Sequence, residues 1–92
     1  MPTSTATIET TRATIYLQQL CKHFGHKLPV EFTHEAGRIE FPFGQCLLEA
    51  GDDALTLRVE GGEIARLEKV MGDHLARFAF RENPDITWRQ HT

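Results

Sequence analysis

The sequence predicts an α+β fold in which an antiparallel sheet is covered on one face by two amphipathic helices. Two segments, residues 11–24 and 63–80, repeat apolar residues with the period of an α-helix. Between them, residues 30–60 alternate apolar and polar side chains with a period of two, which is typical of strands with one buried face. Turn sequences separate these strands, so neighbours are expected to pair as a meander. With a short strand at each end, the expected order is β-α-β-β-β-β-α-β.

The N-terminal segment predicts the first strand and the first helix. Residues 3–9 alternate weakly and form the expected strand. Thr10 or Thr11 is expected to cap the helix that follows. That helix covers residues 11–24, and Gly25 is expected to end it with a positive φ. Its apolar stripe consists of Ala13, Tyr16, Leu17, Leu20 and Phe24.

Four strands are predicted in the central segment, because turn residues interrupt the alternation three times. The turns are expected at residues 34–37, at Gly44 and at residues 51–53. Each strand then has one apolar face and one mostly polar face. The apolar side chains expected to point toward the helices are Val30, Phe32, Ile39, Phe41, Phe43, Cys46, Leu48, Ala50, Leu55, Leu57 and Val59.

The second helix is predicted directly after Gly61 and Gly62. It covers residues 63–80 and ends before the turn sequence Asn-Pro-Asp at residues 83–85. Alternation resumes at residues 86–89, which predicts a short final strand. The apolar stripe of this helix consists of Ile64, Leu67, Met71, Leu75 and Phe78.

Length, charge and composition narrow the class of protein. The 92 residues suit a single domain, residues 1–92. The net charge of −3 and the scattered basic residues argue against nucleic acid as a partner. We expect a cytoplasmic protein without a membrane span, because no apolar run is long enough and the N-terminus lacks the features of a secretory signal. The two cysteines, Cys21 and Cys46, are expected to be thiols.

A cluster of nitrogen and sulfur side chains at the end of the first helix raises the possibility of a transition-metal site. The candidate ligands are Cys21, His23 and His26, with His74 of the second helix as a further candidate. Cys21 and His23 point about 200° apart on a helix, which is poor geometry for one ion. The alternative is that Cys21 packs as a small apolar residue and His74 is a satisfied core histidine. No cofactor is predicted with certainty.

Basic residues near the ends of both helices predict a polar patch that could bind an anionic ligand. The sequence contains no convincing acid/base pair, nucleophile motif or phosphate-binding loop, so we predict no catalytic residue and favour a non-enzymatic role. The patch consists of Lys22, His23, His26, Lys27, Arg77 and Arg81.

Three segments carry a resemblance to a known family: residues 16–27, 37–41 and 73–82. Two motifs are specific, Cys-Lys-His-Phe-x-His-Lys at residues 21–27 and Asp-His-Leu-x-Arg-Phe-Ala-Phe-Arg-Glu at residues 73–82. The chain resembles the uncharacterised bacterial family catalogued as domain of unknown function 2218. The family is similar to modules found alone or joined to siderophore-interacting flavin reductases. The resemblance therefore implies an accessory role in ferric-siderophore uptake or reduction, and it implies no catalytic residue.

Three hypotheses follow. The first is a binding or accessory module for iron or siderophore metabolism, whose partner is a flavin-dependent siderophore reductase or a ferric siderophore. The second is a small metal-binding protein or metalloenzyme that uses Cys21, His23 and His26. The third is a structural homodimerisation domain that pairs through a sheet edge or through the sheet face containing Leu47. The direction of the helices matters for the first, since near-parallel helices would unite the basic ends and antiparallel helices would separate some of them.

Overall fold

A computed structural model of the chain describes residues 2–91, which form six strands and two helices. The elements are β1 (Thr3–Glu9), α1 (Ala13–Phe24), β2 (Val30–Phe32), β3 (Ala36–Phe41), β4 (Gly44–Ala50), β5 (Ala54–Glu60), α2 (Ile64–Phe78) and β6 (Arg89–His91). The strands form one antiparallel sheet in the order β2-β3-β4-β5-β1-β6. The predicted α+β fold and the order of its elements are confirmed.

Both helices pack on one face of the sheet and enclose the core between them and the strands. α1 lies over β2, β3, β4 and β5, and α2 lies over β4, β5 and β1. The predicted apolar stripes of both helices and the alternating residues of the strands supply this core. The exception is Phe32 of the edge strand β2, which was expected to face the helices and is 40% exposed. Its largest fully buried side chains include Leu17, Leu20, Ile39, Leu48, Leu55, Leu57, Leu67, Met71 and Leu75.

The two helices run in opposite directions. Tyr16, near the start of α1, bonds to Glu82 beyond the end of α2, whereas His23, near the end of α1, packs against His74 inside α2. Positions that advance along α1 therefore meet positions that recede along α2. As a result, the end of α1 lies beside the body of α2 and not beside the residues that follow α2.

The helix ends differ from prediction. Both helices are shorter than the apolar patterns suggested. The predicted cap by Thr10 or Thr11 is wrong, since Arg12 is the N-cap residue and no side chain caps α1. Thr10 instead closes the turn before the helix, where its Oγ1 accepts the backbone N–H of Arg12 at 3.0 Å. The positive φ expected at Gly25 is wrong, since this residue is right-handed helical with φ −63° and ψ −15°. The chain simply continues for another turn, in which the N–H groups of Lys27 and Leu28 both donate to the carbonyl of Phe24.

Two predicted strand boundaries are also wrong. The alternation was extended through Phe43, but β3 ends at Phe41 and Phe43 lies in the turn to β4. The final strand was predicted at residues 86–89, and it lies at residues 89–91 instead. In both places a loop side chain packs on the core, as Phe43 and Trp88 do, so burial persists although sheet pairing does not.

Gly44 and Gly61 allow two chain segments to approach closely below α2. Their φ angles are +152° and +157°, values that residues other than glycine rarely adopt. An ideal Cβ on Gly61 would lie 2.5 Å from the carbonyl oxygen of Phe43, and one on Gly44 would lie 2.7 Å from Cδ1 of Leu67. The turn from β3 to β4 can therefore contact the end of β5 directly.

Neither α1 nor α2 combines the length and the apolar character needed to cross a membrane, within the segment from residue 2 to residue 91.

Candidate functional site

His23 lies at the centre of a group of basic side chains where the end of α1 meets α2. The ring centroids of His23 and His74 are 4.9 Å apart, with the planes tilted by 48°. His26 and Lys27 lie in the turn after α1, and Arg77 lies in the last turn of α2. We call His23, His26, Lys27, His74 and Arg77 the histidine site.

The orientation of the His74 ring is fixed from within its own helix. Its Nδ1 lies 2.7 Å from the carbonyl oxygen of Val70. A carbonyl oxygen only accepts hydrogen bonds, so Nδ1 carries a proton and Nε2 is the acceptor of the neutral ring. The ring centroid is also 4.8 Å from that of Phe24. His74 is half-buried, which agrees with its predicted place on the apolar side of the helix.

Electrostatics at His23 favour the neutral imidazole. Partial burial lowers the pKa of His23, and the positive charges of His74, Arg77, His26 and Lys27 lower it further. These residues therefore act on one another although they come from two helices and a turn. The same repulsion would become attraction toward a bound anion, because an anion would stabilise each of these cations.

A surface cavity opens at the end of α1. Its volume is about 420 Å³, and it is lined by His23, Phe24, His26, Lys27 and Leu28. This volume is within the usual range for small-molecule sites. The lining combines apolar surface from Phe24 and Leu28 with polar groups from the other three residues. A cavity of this kind suits a ligand that has both an apolar part and a negative charge.

Aromatic rings pack against His23 and Phe24, two of the residues that line the cavity. Phe24 makes edge contacts with His23 at 5.2 Å and with Phe41 of β3 at 5.3 Å, measured between ring centroids. Phe78 of α2 meets His23 at 5.8 Å with planes at 71°. Edge-to-face geometry is a favourable arrangement for aromatic pairs. The histidine ring is therefore held by contacts with both helices.

The predicted metal ligands are divided between the core and the surface. Cys21 is fully buried, as is Cys46, whereas His23 and His26 are exposed. Burial raises the pKa of Cys21 to about 11 and raises that of Cys46 further, so both remain neutral thiols near neutral pH. Across residues 2–91, no three His, Cys, Asp or Glu side chains are grouped so that they could hold a metal ion. His74, the fourth candidate ligand, packs against His23.

Two residues of the predicted basic patch have other surroundings. Arg81 follows α2, and its guanidinium carbon lies 5.7 Å from the ring centroid of Phe80. Lys22 is exposed in the last turn of α1. The structure thus gathers His23, His26, Lys27 and Arg77 from the predicted patch and adds His74, which the sequence analysis had considered for a metal site.

One polar contact was missed by the sequence analysis. The hydroxyl of buried Tyr16 donates to the carboxylate of Glu82, and Thr10 donates to the same carboxylate at 2.9 Å. These two hydrogen bonds lower the pKa of Glu82, and burial together with Glu82 raises that of Tyr16. A buried tyrosine hydroxyl needs a partner, so a tyrosine in the apolar stripe was the available signal. The contact ties the chain after α2 to the start of α1.

Together these features define a small α+β domain with a basic cavity where two antiparallel helices meet. The chain belongs to the family DUF2218, described as an uncharacterized protein conserved in bacteria, whose model matches residues 5–89. The resemblance noted from the two motifs is thereby confirmed.

A solved structure supports the same assignment. The chain is 37% identical to PA4090 from Pseudomonas aeruginosa, whose structure was determined by NMR. The similarity covers 97% of this chain and 96% of that chain, with a TM-score of 0.80. None of the curated proteins compared with the chain matches it.

Proposed function

We propose that this chain is a non-enzymatic binding or accessory module that takes an anionic ligand at the histidine site and serves iron or siderophore metabolism. The observation that carries the proposal is the position of His23, which lies among four groups that are or can become cations. Such a cluster is unfavourable in the empty protein and favourable once an anion is bound.

The balance of charge around the site supports an anion over a cation. Lys27 and Arg77 carry full positive charges, and the imidazoles of the site can add more. The acidic residue nearest in sequence on α2 is Asp73, which pairs with Lys69 at 3.2 Å. Binding of an anion would raise the pKa of His23 from its lowered value, so we expect proton uptake to accompany binding below pH 7.

The iron and siderophore setting comes from the family resemblance. Ferric tris-catecholate siderophores carry a net negative charge, because the charges of the catecholate oxygens exceed that of the iron, so their charge suits the histidine site. A flavin-dependent siderophore reductase is the protein partner that the resemblance implies. We also propose a cytoplasmic location, which is consistent with the free thiols of Cys21 and Cys46.

Calorimetric titration with a ferric tris-catecholate complex and with a ferric hydroxamate tests the proposal. We expect saturable binding of the tris-catecholate complex, which is anionic, and weaker binding of the hydroxamate, whose tris complex has little net charge. Arg77→Gln should weaken binding of the tris-catecholate about tenfold, because one charge-assisted contact is lost. Arg58→Gln removes an exposed positive charge from the sheet face opposite the helices, and it should leave the affinity nearly unchanged. Absence of heat with both complexes, or equal loss in both variants, contradicts the proposal.

Elemental analysis separates this proposal from the metal-binding alternative. The binding module is expected to purify without a stoichiometric transition metal. A stoichiometric metal that is lost in both His23→Gln and His26→Gln would instead favour the metal-binding protein.

A further inference from the structure

We infer that the ligand of the histidine site is an aromatic acid, a planar ring that carries a carboxylate or phenolate oxygen. This inference rests on the proposed function, because it specifies the chemical class of the anion that the site binds. It comes from the shape and lining of the cavity, which are separate from the charge argument.

The cavity has an apolar part that a simple inorganic anion would leave unused. Phe24 and Leu28 supply apolar lining, and the methylene chain of Lys27 can extend it. At about 420 Å³, the cavity is larger than a phosphate or sulfate ion requires. Burial of a ring against this surface would contribute a favourable hydrophobic term that a small inorganic anion lacks.

Ring geometry favours an aromatic group over an alkyl group. The planes of His23 and Phe24 are nearly perpendicular, at 85°. Phe24 is buried, at 9% exposure, whereas His23 is exposed. A flat guest can therefore stack on the imidazole of His23 while only its edge approaches Phe24, and both are preferred aromatic arrangements. A saturated ring of the same size can do neither well, because it is thicker and has no π face.

Polar side chains also line this cavity, where they can contact the acid group of the ligand. His26 and Lys27 line it, and the charge of Arg77 acts on His23 from α2. A carboxylate attached to the ring would meet these groups while the ring lies against His23.

Comparison of two probes of nearly equal size and charge tests the inference. Benzoate and cyclohexanecarboxylate are titrated separately into the ¹⁵N-labelled protein at constant ionic strength, and amide shifts are followed by NMR. We expect benzoate to bind about fivefold more tightly, as ring stacking predicts, with its largest shifts at residues 23–28. Salicylate should bind at least as tightly as benzoate.

The outcomes distinguish this inference from the proposed function. Equal affinity for the two probes at residues 23–28 overturns the aromatic class and leaves an anion site. Binding of the ferric tris-catecholate at the site without binding of benzoate also overturns the aromatic-acid inference and leaves the proposed function standing. If benzoate shifts appear mainly outside the histidine site, the inference is also wrong. If neither the aromatic acids nor the ferric complexes bind, both proposals fail.

Two variants locate the ring and the charge. Phe78→Leu removes the ring that supports His23 from α2 and should reduce the preference for benzoate over cyclohexanecarboxylate. Arg77→Gln should weaken both probes to a similar degree and preserve the preference. Arg58→Gln, on the sheet face opposite the helices, serves as the control. If Phe78→Leu fails to fold, the comparison of probes on the wild-type protein still decides the question.

Discussion

Substitution of the two adjacent glycines at positions 61 and 62 provides a sharp test of the packing below α2. Gly61 is buried, its φ is +157°, and an ideal Cβ would lie 2.5 Å from the carbonyl oxygen of Phe43 and 2.9 Å from Cα of Gly44. Nothing lies within 4 Å of a Cβ on Gly62. Gly61→Ala and Gly62→Ala are therefore chemically identical changes in opposite environments.

The expected cost at Gly61 has two parts. An unfavourable φ for a residue with a Cβ costs about 1–3 kcal/mol, and displacement of closely packed backbone costs about 1–3 kcal/mol more. The alanine also reduces the conformational freedom of the unfolded chain, which stabilises the folded state by about 0.4–1 kcal/mol. We expect Gly61→Ala to lower the free energy of unfolding by about 2–5 kcal/mol. Gly62→Ala should leave it unchanged or raise it by about 0.4–1 kcal/mol.

Urea denaturation followed by circular dichroism measures both free energies, and thermal unfolding gives an independent value. For a domain of this size, a loss of 3 kcal/mol corresponds to a decrease in Tm of about 12–24 °C. Similar changes in the two variants would show that the contact between the β3–β4 turn and the end of β5 is not as close as described.

Three further predictions concern polar contacts and the C-terminal segment. Tyr16→Phe should reduce stability at pH 7 in urea denaturation, and the difference from wild type should decrease as the pH falls below the ordinary pKa of a glutamate, because the lowered pKa of Glu82 gives stability that is lost when its carboxylate is protonated; a difference that does not decrease on acidification contradicts this. The pKa of His23 is lower in the folded protein than in the unfolded chain, so the unfolded chain binds a proton at this side chain at a higher pH. The Tm of the wild-type protein should therefore fall from pH 7 to pH 5 more than that of His23→Gln. An equal fall of Tm in the two proteins contradicts this. Gly72→Val should displace the single tryptophan, whose Nε1 lies 3.5 Å from an ideal Cβ at this position, and should shift its fluorescence to longer wavelength; an unchanged spectrum would show that the indole packs elsewhere.

The errors in the predicted strands have one common cause. Alternation reports which side chains are buried, and it does not report which backbone groups pair. Phe43 continues the apolar pattern of β3, yet it lies in a turn where the guanidinium carbon of Arg66 is 4.0 Å from its ring centroid. Ile86 and Trp88 are likewise half-buried against the core without belonging to β6. A periodicity argument gives the same answer for a strand and for a loop that packs on the core.

Most residues of the histidine site were named from the sequence, but their arrangement was not predicted. His23, His26, Lys27 and Arg77 were all proposed for a basic patch from their positions near helix ends. Their grouping with His74 depends on the direction in which α2 crosses α1, and no local pattern specifies that direction. For the same reason Arg81 was expected in the patch, although it lies over Phe80 beyond the helix end.

Local chemistry along the chain was sufficient to determine the fold class, the order of elements and the membership of the core, because the periods of apolar residues differ between helices and strands. The two motifs were likewise sufficient to indicate the family. The tertiary structure decided the opposite directions of the helices, the contact of His23 with His74, and the burial of Cys21 away from the exposed histidines. These features depend on contacts between residues about 50 positions apart, and such contacts are set by how whole elements pack.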